Sequence, residues 1–300
     1  MKNVDVVVVS FNSADTIRSC VGMLAGADAI EVTVVDNASE DAAVEALAEL
    51  PVTVVALERN HGFAYACNRG WERGFAPYVL FVNPDARIDL ESVGRLIATL
   101  EEDPRKGVAA PRILDAEGAL EHSLRRFARL RSTYAQALFL HRIAPLATWV
   151  DEVVRDPAAY ARRGRAEWVS GACMLVRREA LNEVGGWDEG FFLYGEDQDL
   201  CRRMWSAGYE VLFEPAATAV HLGGASAPRA RLLPVLARSR IRYAGKHRSR
   251  AAAALERVGI LLGALTHAVA SNRGRSWRRG QLQAARAALS PRRQPLYPFV

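Results

Sequence analysis

Over its first hundred residues the chain alternates short β-branched runs with longer amphipathic stretches, and nothing else constrains the fold as tightly. "VDVVVVS" (residues 4–10) is too short and too rich in Val for a helix and reads as a buried strand. The pattern then predicts a helix over 14–25, a strand over 31–36, a helix over 40–50 and a strand over 52–56. A helix entered from a Gly-containing turn near 60–62, a strand over 78–82 and a helix over 90–103 follow, and a further strand is expected over 209–213. Strand and helix in succession imply an α/β fold with a mostly parallel sheet flanked by helices.

In an open α/β sheet, ligands gather beyond the carboxyl ends of the strands. Three polar clusters fall there. "SFNS" supplies Ser10 and Asn12, "DNAS" supplies Asp36, and "NPDAR" supplies Asn83 and Asp85, with Pro84 stiffening the turn. An Asp at a strand end also braces turns and caps helices, so Asp36 and Asp85 are each readable as local supports. Farther on, "YGEDQDL" sets Glu196, Asp197 and Asp199 at the start of an apolar-periodic helix, where carboxylates complement the helix dipole.

With 300 residues, 50% of them hydrophobic and 24% charged, the chain can bury one large core or two modest ones. Its net charge of +5 is uneven, since Glu256 is the only acid after residue 225 among many Arg. Such a tail suits an anionic membrane surface or a phosphate-bearing substrate; nucleic acid is disfavoured because no aromatic platform is interleaved with the Arg. Cys20, Cys67, Cys173 and Cys201 lack zinc or disulfide spacing and read as reduced small hydrophobes, which favours the cytoplasm. The N-terminus lacks the apolar region of a secretory signal, and the apolar run over 258–270 is shorter than the ~20 residues of a spanning helix.

The ordered set "VVVVSFNS", "VVDNASEDA", "ERNHGFAYACNRG", "LFVNPDARI", "WVSGACMLVRREALNEVGGWDEGFFLYGEDQDLCRRMWSAGY" and "AVHLGG" resembles the inverting glycosyltransferases of family 2, in particular rhamnosyltransferase-like members, over roughly residues 4–224. The resemblance implies a GT-A fold, a Rossmann-like sheet. It implies a catalytic domain over 1–225, with a nucleotide-binding half to about 110 and an acceptor half over 111–225, then a basic helical region over 226–300. It also implies a nucleotide-sugar donor, dTDP-rhamnose or a UDP-sugar such as UDP-galactofuranose, and a saccharide or polyprenyl-linked acceptor in cell-envelope polysaccharide synthesis. A divalent metal, Mg²⁺ or Mn²⁺, would hold the diphosphate.

Carried over residue by residue, the resemblance makes Asp85 a metal ligand, with Asn83 standing where the family's Asp-x-Asp usually begins and bonding the nucleotide. Ser10 and Asn12 would line the donor site, Asp36 would accept the pyrimidine N3 proton, and Asn60, Gly62 and Asn68 would bring the next helix against the nucleotide. Asp197 becomes the general base, Glu196 orients the site, and His221 completes the metal site, although a histidine beside Gly-Gly also reads as a polar loop residue. Gly171 and Ala172 would leave room for the acceptor, with Trp187 and Asp188 as its wall; Trp187 is equally readable as core. One base and direct attack imply inversion.

The helices over 229–290 read as an amphipathic element on the inner face of the membrane, or as a cap on the catalytic domain or on a second subunit; oligomeric state is open, a dimer included. A non-catalytic nucleotide-sugar-binding scaffold is the alternative of a different class. The retention of Asp85, Asp197 and His221 together favours an enzyme.

Overall fold

The computed structural model describes residues 3–144, 147–223, 228–270 and 272–290. The chain runs through β1 (Val4–Ser10), α1 (Ala14–Val21), β2 (Ile30–Asp36), β3 (Thr53–Ala56), α2 (Phe63–Trp71), β4 (Tyr78–Val82), β5 (Ala86–Ile88) and α3 (Leu90–Glu101). It continues with β6 (Lys106–Leu114), β7 (Leu124–Arg125), α4 (Leu130–Ala137), α5 (Leu140–Ile143), α6 (Pro157–Ala161), β8 (Gly164–Arg165), β9 (Trp168–Val169), β10 (Cys173–Arg177) and α7 (Arg178–Glu183). The last elements are α8 (Glu196–Ser206), β11 (Glu210–His221), α9 (Arg229–His247), α10 (Arg250–Ala270) and α11 (Gly274–Leu289).

Two compact units result. The first comprises Met1–Arg125, Arg155–Gly190 and Asp197–Ser226, and the second Arg126–Val154, Phe191–Glu196 and Ala227–Val300. The domain boundary expected at 225 lies outside the described residues.

The first unit is built on a sheet of order β3-β2-β1-β4-β10-β6-β11-β5, with β8 added on β11. Strands β1 to β4 are parallel, as the alternating pattern predicts, while β10 enters between β4 and β6 antiparallel to both. Every residue of β1 and β4 is buried, which is why their sequences are unbroken apolar runs rather than alternations. Ile17, Val21 and Leu24 pack with Val6, Val8, Leu80 and Leu96 on one face of the sheet. Helix α2 lies against the other face at Gly70, where a Cβ would come within 2.4 Å of Val7 Cγ1. Because the chain leaves β1 for β2 and β3 on one side and returns to β4 on the other, the loops after β1 and β4 diverge and leave a crevice at the carboxyl edge.

The helix expected over 40–50 does not form, and only a single 3₁₀ turn at Glu45–Leu47 remains. Side chains have taken the amides that would start it. Asp41 accepts from the N–H groups of Ala14 and Ala43, and Asn12 Oδ1 accepts from Glu40 N–H at 2.8 Å. Local side-chain bonds of this kind compete with helix nucleation.

The second unit is helical. Its small core joins Ala237, Ala264, Ala284 and Ala285, so α9, α10 and α11 approach closely. Beside it Glu256 is buried, accepting from Thr133 Oγ1 at 2.6 Å and pairing with Arg240 at 3.2 Å and Arg248 at 2.9 Å, while Arg240 also pairs with Glu152 at 2.8 Å. Helix α10 is longer than the apolar run in the sequence suggested. Its 21 residues make it, among the described residues, the one helix long and apolar enough to cross a membrane by length and composition, because Ala251–Ala254 extend it backward.

Candidate active site

The turn after β4 carries the first carboxylate. Asn83 N–H donates to Ala172 O at 2.8 Å, tying the turn to the residues that lead into β10, and Ala86 N–H donates back to Asn83 O at 3.0 Å. Asp85 then precedes β5, three residues that pair antiparallel with the end of β11 so that His221 lies opposite Ala86. Leu222 N–H closes the ladder on Asp85 O at 2.8 Å. Residues 136 positions apart are thereby brought together: His221 Nε2 is 3.2 Å from Asp85 Oδ1.

The other ring nitrogen meets a residue that sequence reasoning missed. His221 Nδ1 is 2.8 Å from Glu121 Oε2. Glu121 follows a tight turn in which Asp115 Oδ1 accepts from Ala119 N–H, and its own N–H donates to Ile113 O at 2.9 Å, next to β11. The Asp-to-Gly turn in "LDAEGAL" is the hairpin signal that would have placed it. Hydrogen bonds to Asp85 and to Glu121 push the His221 pKa up to about 10, against the opposing effect of burial.

Among the described residues no group of three or more His, Cys, Asp or Glu is disposed to hold a metal ion. Asp85 Oδ1 and His221 Nε2 nevertheless lie 3.2 Å apart, with Glu121 on the far nitrogen. One carboxylate and one imidazole suit Mg²⁺ or Mn²⁺ that takes its remaining oxygens from a diphosphate and water, so the residues fit the implied metal.

Asp197 sits in the first turn of α8. Its Oδ2 accepts from Gly171 N–H at 3.1 Å and its Oδ1 from Gln198 N–H at 2.8 Å. Burial pushes its carboxyl above the ordinary aspartate value, opposed by those two amides and by the charge of Arg125 on β7. Arg125 was also missed; it reaches the site because β7 pairs with β9, setting Arg125 opposite Trp168 just before Gly171. Gly171 contributes its N–H more than its lack of a side chain, since a Cβ there would stand 3.5 Å from Asp197 Cβ, an ordinary contact. Ala172 is buried, and Glu196, also buried, opens α8 one residue before Asp197.

The residues expected on the donor side divide into open and engaged groups. Ser10 Oγ is buried at the end of β1 with no hydrogen-bond partner, an unusual state for a hydroxyl. Asp36 is buried beside it in the β1–β2 ladder, and its two oxygens accept from the N–H and Oγ of Ser39, so the local brace is real. Asn12, with φ of 53°, uses its side chain on Glu40. Asn60 Oδ1 accepts from Gly62 N–H and from Asn37 Nδ2, both at 2.9 Å, while Asn37 Oδ1 accepts from His61 N–H. This Asn37–Asn60 clasp fixes the turn into α2, which begins after Gly62 at φ of 92°, a conformation that favours glycine.

One expectation is corrected and one alternative is resolved. Asn68 does not offer its side chain to a nucleotide: Nδ2 donates to Trp187 O and Glu189, and Oδ1 accepts from Trp71 Nε1 and Trp187 N–H. Trp187, readable as acceptor wall or as core, is core. It is 2% exposed and packs edge-to-face on Phe81 at 5.0 Å and Phe63 at 5.7 Å, because the space between β4 and α2 needs a large apolar group. Asp188 braces the following turn by accepting from Gly190 N–H.

The profile described as glycosyl transferase family 2 matches residues 5–185, and one described as the N-terminal domain of galactosyltransferase matches 155–222. An N-acetylglucosaminyl-diphospho-decaprenol L-rhamnosyltransferase of Mycobacterium tuberculosis is 30% identical over 64% of this chain and 66% of its own length. Rhamnosyltransferase WbbL of Escherichia coli K12 is 28% identical over 48% of this chain and 52% of its own. The matched region thus spans less than two thirds of either relative. A mannosyltransferase from Pyrobaculum calidifontis, solved with GDP-Man and Mn²⁺, superposes with a TM-score of 0.59 at 16% identity, over 98% of this chain and 89% of that one. TarS 1-349 of S. aureus with UDP-GlcNAc gives 0.54 at 17% identity over 97% and 81%. The shared architecture is the GT-A fold.

Proposed function

The chain belongs to glycosyl transferase family 2, and from that membership we propose that it is an inverting, metal-dependent transferase that moves L-rhamnose from dTDP-rhamnose to a saccharide or polyprenyl-linked acceptor in cell-envelope polysaccharide synthesis. The observation that carries the proposal is Asp197: a carboxylate at a helix start, held by Gly171 and Gln198 amides and raised in pKa by burial. A base poised in this way gains proton-accepting power while remaining oriented.

In this mechanism Asp197 takes the proton of the acceptor hydroxyl as its oxygen attacks the anomeric carbon. The bond from that carbon to the phosphate oxygen breaks, its electron pair leaves with the nucleoside diphosphate, and a β donor gives an α product. Asp85 and His221 would hold a divalent ion that neutralises the departing diphosphate. Ser10 supplies a hydrogen bond to the donor, Asp36 selects a pyrimidine with an N3 proton, and the amides at the start of α2 face its phosphates. The enzyme works at the cytoplasmic face of the membrane that carries its acceptor.

The rhamnosyltransferase relatives support the sugar, and UDP-galactofuranose is the named rival. Uracil and thymine differ by one methyl, worth only ~1–3 kcal/mol in an apolar pocket, so donor choice needs direct assay. Purified protein with Mn²⁺ and an N-acetylglucosaminyl-diphospho-lipid is expected to consume dTDP-rhamnose and leave UDP-galactofuranose untouched. The reverse result overturns the donor, and turnover of neither donor with any saccharide acceptor overturns the enzyme reading in favour of a scaffold.

A further inference from the structure

Among the described residues, one face of α10 is left largely uncovered. Ala251, Leu255, Val258, Leu262, Leu265 and Val269 recur at steps of four and three, so at 100° per residue they fall in one line about 27 Å long. Leu255 is 50% exposed, Val258 53%, Leu265 45% and Val269 82%. The opposite face is packed within the second unit: Gly259 against Thr133 and Tyr134, Gly263 against Ala137, and Thr266 Oγ1 on Ala137 O at 2.7 Å.

The exposed charge of the three C-terminal helices has one sign. The only acid of the three C-terminal helices, Glu256, is 1% exposed and sealed between Arg240 and Arg248. Arg250 is exposed at the start of α10, and Arg273, Arg275, Arg278 and Arg279 are exposed just beyond its end. An aliphatic line bracketed at both ends by guanidinium groups matches the layered chemistry of an anionic bilayer surface, acyl chains below phosphates.

We propose that α10 docks flat on an anionic lipid surface, with Leu255, Val258, Leu265 and Val269 in the acyl boundary and the flanking Arg on lipid phosphates. A spanning orientation is disfavoured because the other face of α10 is committed to α4 and α11 and holds the ion-paired Glu256. A second copy of the chain is disfavoured although the 3-4 spacing suits helix pairing. With Arg at both ends, parallel and antiparallel pairing alike bring like charges together, and no acidic side chain lies on the stripe to offset them. The docking rests on the proposed function only for the reason a membrane is near, namely a lipid-borne acceptor.

The test is sedimentation of the full chain with vesicles of phosphatidylcholine containing phosphatidylglycerol, without nucleotide. Binding is expected, is lost with pure phosphatidylcholine or high salt, and weakens about tenfold or more in Leu265→Glu/Val269→Glu. Both sites are exposed, so the thermal melt of the variant and any transfer to a water-soluble acceptor should stay unchanged. Arg278→Glu/Arg279→Glu should weaken binding to anionic vesicles independently. Equal binding to neutral vesicles, undiminished binding by the Leu265/Val269 variant, resistance to extraction at alkaline pH, or a lipid-free dimer that this variant dissociates would each overturn the proposal. Vesicle binding and sugar turnover are separate readouts, so a failure of one leaves the other interpretable.

Discussion

His221 Nε2 points at Asp85 Oδ1 across 3.2 Å, and the same ring is held from behind by Glu121. With its pKa pushed up to about 10, the imidazole carries a proton at neutral pH and cannot offer Nε2 to a metal without losing it. Metal binding is therefore expected to release about one proton and to tighten about tenfold per pH unit between the ordinary histidine value and 10. Calorimetry with Mn²⁺ in buffers of different ionisation enthalpy measures the release directly. A heat independent of buffer would remove His221 from the metal site.

The same shift sets the pH dependence of metal-free stability. A group whose folded pKa is raised contributes fully below its unfolded value, near 6.5, and its contribution is lost as pH climbs toward 10. In EDTA the melting temperature should fall across that window, and His221→Ala should flatten the decline. An unchanged slope in the variant would assign the decline to other groups.

Glu121 acts through His221, so its neutral variant separates orientation from coordination. Glu121→Gln is expected to weaken metal affinity about tenfold to 100-fold, as outer partners of metal-binding histidines do, whereas Asp85→Ala and His221→Ala should abolish metal-dependent nucleotide binding. Thermal shifts with a nucleoside diphosphate, with and without Mn²⁺, distinguish the three. Full nucleotide binding by Asp85→Ala would refute the assignment.

Asp197→Asn should retain donor affinity and lose ~10²-fold to 10⁴-fold in turnover. Because burial raises its pKa and the base must be ionised, the acid limb of the wild-type rate profile should lie above the ordinary aspartate range. Near-normal rates in the variant would place the base elsewhere.

Ser10 and Asn68 should respond in opposite ways. Ser10→Ala removes a buried hydroxyl that has no partner, so stability should hold or rise while donor affinity falls by a hydrogen bond's ~0.5–1.5 kcal/mol. Asn68→Ala strips partners from Trp71 and from both backbone groups of Trp187, so it should lower stability by ~2–4 kcal/mol and leave the folded protein's donor affinity intact. Urea unfolding paired with nucleotide titration separates the outcomes.

What could be read from the sequence was whatever a local pattern encodes. The Val-rich runs of β1, β2 and β4 mark their own burial, and Asp36, Asp85 and Asp197 stand at strand or helix ends where a single segment reveals them. What stayed hidden depends on pairing between distant segments. Strand β5 is three residues long, below any periodic signal, yet its ladder with β11 is what carries His221 to Asp85. Glu121 and Arg125 lie in a stretch without a helical or strand period, so only their partners in space give them meaning. Asn68 misled because an Asn near a glycine turn looks available, and no local feature discloses that Trp187 consumes it.

Strand β10 occupies the middle of the sheet although ninety residues separate it from β4. During synthesis β1 to β4 can zip together from neighbouring segments, but until Arg177 has emerged β4 and β6 each present an unpaired edge. The residues that position Asp197 and the turn bearing Asp85 arrive on the lead-in to that inserted strand, so one segment both covers the β4 edge and braces the candidate site. A nascent chain stalled before it is both inactive and sticky, and ribosome-bound intermediates ending near residue 160 should recruit chaperones that the released chain does not need.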